Sequence, residues 1–100
     1  MKLVGIMSLT EDRTQVRDLL RDQGVQIYSE IEILGHSTES IATIGWFATS
    51  EETPEYGSLC FAIVQDDNAD SVFEAISALP AGENGDHPIR AFLVPVERMI

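Results

Sequence analysis

The segment AGENGDHPIR, residues 81–90, packs two glycines, an asparagine, two acids, a histidine and an arginine into ten positions. Glycines let backbone N–H groups approach a ligand closely, and successive N–H groups in such a turn can form an anion-binding concavity. Gly82, Asn84, Gly85 and Asp86 are therefore candidate phosphate contacts. Arg90 adds a planar fork that suits phosphate or carboxylate. Glu83 and Asp86 oppose an anion unless Arg90 or a cation offsets them. The same spelling also suits a tight turn after a helix, and Arg90 equally suits an edge strand with an acid beside it.

Other residues with chemical potential are scattered. His36 and His87 are the two histidines, and a metal site would need them to converge with carboxylates such as Glu39 or Asp86. They fall in different loops. Trp46 and Phe47 lie in a polar stretch, where aromatics serve as partner anchors or pack against another subunit. Arg13, Arg17 and Arg21 recur every four residues, a basic stripe that Asp18 and Asp22 neutralise on a solvated helix face. Cys60, inside SLCFAIV, reads as a small buried hydrophobe. No cysteine–histidine pair, serine elbow or paired-carboxylate cleft is implied by the spacing, so no enzymatic activity is expected.

The 100 residues suffice for one domain, spanning 1–100. Hydrophobic content of 44% with 23% charged residues is that of a globular chain, not a disordered one. The net charge of −11 disfavours nucleic acid and anionic lipid and favours a basic partner surface. The longest apolar run is far short of the roughly 20 residues of a membrane helix, so no direct membrane insertion is expected. The opening MKLVGIMSLTED lacks a small-residue cleavage site and reads as a first strand rather than a signal peptide. One unpaired cysteine fits the cytoplasm.

The elements that must position these residues alternate plainly. KLVGIMS, residues 2–8, is a strand. TEDRTQVRDLLRDQG, residues 10–24, is a helix with Thr10 as N-cap, Val16, Leu19 and Leu20 as its buried stripe, and Gly24 as its stop. VQIYSEIEILG, residues 25–35, alternates: Val25, Ile27, Ile31 and Ile33 point one way, and Gln26, Tyr28, Glu30 and Glu32 the other. That spells a half-exposed edge strand. The stretch from His36 to Gly57 has weak periodicity and is long for a connection, a mark of functional or disordered loops. SLCFAIVQ, residues 58–65, is a strand apolar on both faces. DDNADSVFEAISALP, residues 66–80, is a helix capped by Asp67 or Asn68, with Val72, Ile76 and Leu79 buried and Pro80 ending it. IRAFLVPVE, residues 89–97, is the last strand.

The order is βαββαβ. Right-handed crossovers give an α+β, ferredoxin-like antiparallel sheet with strands one and three central and both helices on one face. LVGIM, LCFAIV and AFLV are apolar on both faces, so the helix-free face is also built for burial. An exposed patch of that kind calls for a partner, and closed cyclic assembly of identical copies supplies one.

The chain resembles the PII-type nitrogen-regulatory signalling proteins and their PII-like relatives along nearly its whole length. The resemblance rests on VRDLLRDQG in the first helix, on GVQIYSEIEILG with a glycine at each end, on AGENGDH beside the family's Thr-Gly-x-x-Gly-Asp-Gly phosphate turn (the B-loop), and on AFLVPVE beside its final strand. His36–Gly57 takes the place of the mobile T-loop. Ala81 stands for the family's hydroxyl residue, His87 for its last glycine, Arg90 for its phosphate-contacting lysine and Glu39 for a glutamine, which marks a divergent member.

The resemblance implies a trimeric PII-like assembly, a homotrimer in which a small effector such as ATP, ADP or AMP binds between subunits. Its contacts would be Gly35, His36, Glu39, Gly82, Asn84, Gly85, Asp86, His87 and Arg90. The 36–57 loop, through Trp46 and Phe47, would dock on a transporter, an enzyme or a regulator. An alternative is a metal-linked trimer like the divalent-cation tolerance proteins or the PII-like proteins of heavy-metal homeostasis, with His36, His87 and nearby acids as ligands. A small enzyme of the ferredoxin-like dimer class is a third reading, disfavoured by the uniformly apolar strands.

Overall fold

The computed structural model describes residues 1–36, 55–80 and 89–100. The chain runs through β1 (Lys2–Leu9), a 3-10 turn (Thr10–Asp12), α1 (Arg13–Asp22), β2 (Ser29–Gly35), β3 (Glu55–Val64), α2 (Asp66–Ser77) and β4 (Ile89–Pro95). The strands form one antiparallel sheet in the order β2-β3-β1-β4. This is an α+β arrangement compatible with a ferredoxin-like fold, with β1 and β3 central.

The central pair supplies the core because alternate residues of a strand share a face. Val4, Ile6 and Ser8 of β1 lie opposite Ala62, Cys60 and Ser58 of β3, and all six are buried. α1 lays Val16 and Leu20 on this face, with Leu19 partly buried beside them. α2 adds Ala69, Val72 and Ile76, and Val25 and Ile89 complete the cluster. The expected stripe of α1 is present; that of α2 keeps Val72 and Ile76 and adds Ala69, but the helix ends at Ser77 rather than at Pro80, so Leu79 lies beyond it and is only partly buried.

The element ends differ from the sequence expectation. Thr10 does not cap α1; it opens the 3-10 turn, and Asp12 stands at the helix's N-cap position without a side-chain cap bond. Asp67 and Asn68 do not cap α2, because Gln65 occupies that position and Asp66 and Asp67 fall in the first turn, where the helix dipole favours acids. The Asn68 amide instead donates to the Gln23 carbonyl at 2.7 Å, tying the start of α2 to the end of α1. Gly24 does end α1, with φ of 80°, a conformation that costs glycine little. β3 starts at Glu55, three residues before Ser58, because Gly35 of β2 pairs with Glu55.

The largest correction concerns β2. It begins at Ser29, not Val25. The Val25 N–H bonds to the Leu20 carbonyl at 2.9 Å and its side chain enters the core, whereas Ile27 is 85% exposed. Matching parity in residues 25–28 therefore does not mean a shared face, since that stretch is not part of the ladder. Within β2, Glu30 and Glu32 lie opposite Cys60 and Ser58, on the helix side. Ile31 and Ile33 lie opposite Leu59 and Gly57, on the side away from the helices. The edge strand thus points its isoleucines away from the helix-covered core.

The open face is consequently mostly apolar across all four strands: Leu3 and Met7 on β1, Leu59, Phe61 and Ile63 on β3, Ile31 and Ile33 on β2, Phe92 and Val94 on β4, with the charged Glu55 and Arg90 at one end of it. Ile31, Phe61, Ile63, Phe92 and Val94 are each between 38% and 49% exposed. At the centre, Gly5 pairs with Phe92, whose ring lies over it: a Cβ on residue 5 would sit 2.1 Å from the ring's Cζ. Gly5→Ala must push the ring off the sheet. It should cost about 1–3 kcal/mol in chemical unfolding, in the range of overpacked sites. Most of that loss should vanish when Phe92→Ala is combined with it, as expected for residues in direct contact.

Candidate functional site

Four strand ends meet at one end of the sheet. Gly35 ends β2 opposite Glu55, which starts β3, and Leu9 ends β1 opposite Gly57. Ser8 pairs with Ile89, which starts β4. The described ends that flank residues 37–54 and 81–88 therefore lie at the same end of the sheet. Gly35, His36 and Arg90 are the candidate site residues within the described structure; His36 and Arg90 are exposed. Glu39, Trp46, Phe47, Gly82, Asn84, Gly85, Asp86 and His87 lie outside the described residues.

Gly35 and Arg90 stand on opposite edge strands. Three inter-strand steps of about 4.8 Å separate those strands, or roughly 14 Å. Among the described residues Arg90 pairs with no acid. It borders a shallow groove of about 160 Å³ between α2 and β4, lined also by Phe73, Ile76, Ser77, Ile89 and Ala91. A wider groove of about 350 Å³ lies at the far end of the sheet, between Ile27, Tyr28, Ser29, Phe61, Ala62, Ile63 and Met99. Of that lining, Ser29, Phe61 and Ile63 belong to the open face.

The strongest polar cluster was not singled out from the sequence as a site. Glu30 projects from β2 beneath α1 with its side chain 20% exposed. Arg17 donates to Glu30 Oε2 from Nη2 at 2.9 Å and from Nε at 3.2 Å. Arg13 Nε stands 3.5 Å from Glu30 Oε1, and the buried Ser58 hydroxyl donates to that oxygen at 3.2 Å. The Glu30 carboxylate holds the Arg17 guanidinium above its ordinary pKa, by hydrogen bond first and by charge second. Two of the three arginines of the basic stripe are thus spent on β2. Only Arg21 turns to its helix neighbours Asp18 and Asp22, at 3.4 and 3.6 Å. The available signal was that two glutamates alternate with isoleucines in a strand following an arginine stripe.

Directly across from Glu30 is Cys60, which is 1% exposed. Burial, then the Glu30 charge, pushes its thiol pKa up. The buried, inert reading of this cysteine therefore holds. A maleimide or disulfide reagent at pH 8 should react with Cys60 in native protein at least ~100-fold more slowly than in denaturant.

Asp12, where the 3-10 turn meets α1, titrates above its ordinary value because of burial and then the Glu11 charge. The folded chain thus holds this proton more tightly than the unfolded chain, and ionisation weakens the fold as pH rises through the raised pKa. Asp12→Asn should raise the thermal midpoint at pH 7. The gain should shrink and disappear as pH falls below 3.8, the ordinary value.

Among the described residues no group of three or more His, Cys, Asp or Glu side chains is placed to hold a metal ion. No helix among them is long and apolar enough to cross a membrane. No protein-family model matches the chain, and no curated protein matches it either.

Proposed function

We propose that the chain is a PII-like signalling protein: a homotrimer that binds a small anionic effector, such as an adenine nucleotide, at its subunit seams. Through the 36–57 segment it would regulate a protein partner. The observation that carries the reading is the pairing of an apolar open face with candidate ligand residues on opposite edges of one sheet end. In a lone protomer, Gly35 and Arg90 sit on edges roughly 14 Å apart, given the usual strand spacing. In a ring, the β2 edge of one copy meets the β4 edge of the next, and the two halves share a seam.

Strand directions favour such a ring. The four strands alternate in direction across the sheet, so β2 and β4 run oppositely. A β2 edge brought beside a neighbour's β4 edge by rotation is therefore antiparallel to it, and the alternation continues. The rotation is heterologous and can close. It turns the open faces inward, at ~25 cal/mol for each Å² of apolar surface removed from water. The described acids of the sheet are compatible with it: Glu30 and Glu32 lie on the helix side, and Glu55 alone lies on the open side, at its rim. Burying a strongly anionic face would be prohibitive; burying this one is not.

Light scattering on dilute protein should return about 33 kDa, three times the 11.0 kDa chain. Phe61→Glu should give the single-chain mass with secondary structure retained. A single-chain mass for the unaltered protein would remove the seams and the proposal with them. Calorimetry with ATP, ADP and AMP tests the effector separately: binding to the trimer but not to the Phe61→Glu monomer is expected, and silence with all three would remove the nucleotide.

A further inference from the structure

We infer that Glu30 is a register lock: gripped from α1 by Arg13 and Arg17 and from β3 by Ser58, it decides which face of β2 looks outward. β2 is an edge strand with one neighbour, and its seven residues, SEIEILG, present carboxylates on one face and isoleucines on the other. A one-residue slip exchanges the two faces completely. Hydrophobic burial inside the protomer does not oppose the slip. Ile31 is 49% exposed as it stands, and a slip would move it under α1, opposite Cys60. It would also carry Glu30 beside Phe61 and Glu32 beside Leu59, onto the open face.

What opposes the slip is polar. Three donors converge on the two Glu30 oxygens within 3.2 Å, and Arg13 adds its charge at 3.5 Å. A slipped strand would leave Arg13 and Arg17 facing an isoleucine and Ser58 without its acceptor. Charge-assisted hydrogen bonds at a half-buried site outweigh neutral ones, and removing one partner strands the others. The cluster therefore holds Ile31 and Ile33 on the outer face from the opposite side of the sheet. That much stands on the protomer's geometry. Its consequence, that the lock keeps carboxylates out of the subunit interface, rests on the trimer proposed above.

Register is read directly by cross-linking. In a Cys60→Ala background, Ile31→Cys with Leu59→Cys reports the observed pairing, and Glu32→Cys with Leu59→Cys reports the slipped one. The first pair should oxidise readily and the second poorly. Adding Glu30→Gln should lower the yield of the first pair severalfold and raise that of the second. Amide exchange in β2 should accelerate at least tenfold while β1 stays protected. Unchanged yields, with β2 exchange within twofold, would overturn the lock; so would an equal loss of protection in β1 and β2, which marks general instability. Should Glu30→Gln unfold the chain outright, Arg17→Gln is the milder arm and is read by the same criteria. The two ideas fail separately: a monomeric mass defeats the trimer, whereas the cross-linking result is obtained from a monomer or a trimer alike.

Discussion

Two helices can cover only one face of a four-stranded sheet, and most features of this chain answer to that shortage. α1 and α2 spend their apolar stripes on Val4, Ile6, Cys60 and Ala62. Nothing comparable within the described residues covers Leu3, Met7, Leu59 and Phe61 on the reverse. A chain with surplus apolar surface on a central strand has two remedies: make the outer row polar, or supply a second layer. Here the outer row is mostly apolar on every strand, with Glu55 and Arg90 at one end. Even the bare backbone at Gly5, on the central strand β1, is roofed by an aromatic ring. Such a face is what the proposed assembly would cover.

β2 carries the same apolar surplus to the sheet's edge. In an ordinary half-exposed strand the isoleucines would lie under the helices and the glutamates in water. Here the order is reversed, and the reversal is tolerable because α1 meets β2 with arginines rather than leucines. The polar contact beneath the helix and the apolar row above the sheet are two sides of one arrangement. Either side alone would look like a patterning error; together they are consistent, which is what a foldable sequence requires.

The same sheet sets where chemistry can occur. The strand ends that flank residues 37–54 and 81–88 lie at the same end of the sheet as the turn from β1 into α1, while Gly35 and Arg90 stay on opposite edges. Strand order separates Gly35 on β2 from Arg90 on β4 within one protomer. The functional reading and the assembly are therefore one question, since the seam between copies is where the halves would meet.

Much of the fold was legible from pattern alone. The βαββαβ order, the central places of β1 and β3, the stripes of Val16 and Leu20 and of Val72 and Ile76, and the stop at Gly24 all follow from short-range periodicity and steric preference. Caps were less legible, because Thr10, Asp67 and Asn68 each suit a helix start and only the actual chain path chooses among neighbours. Of the candidate site, residue types were readable but not their mutual placement. The Glu30 cluster joins residues 13, 17, 30 and 58, which no local pattern connects.

The sequence by itself determined which segments become helices and strands, and that apolar surface exceeds what two helices can cover. Those properties depend on neighbours a few residues apart. Only the tertiary structure decided which face of β2 turns outward and how Glu30 is held beneath α1. Such choices depend on strand register and on hydrogen bonds between distant residues, and a period-two alternation is the same pattern whichever face it presents.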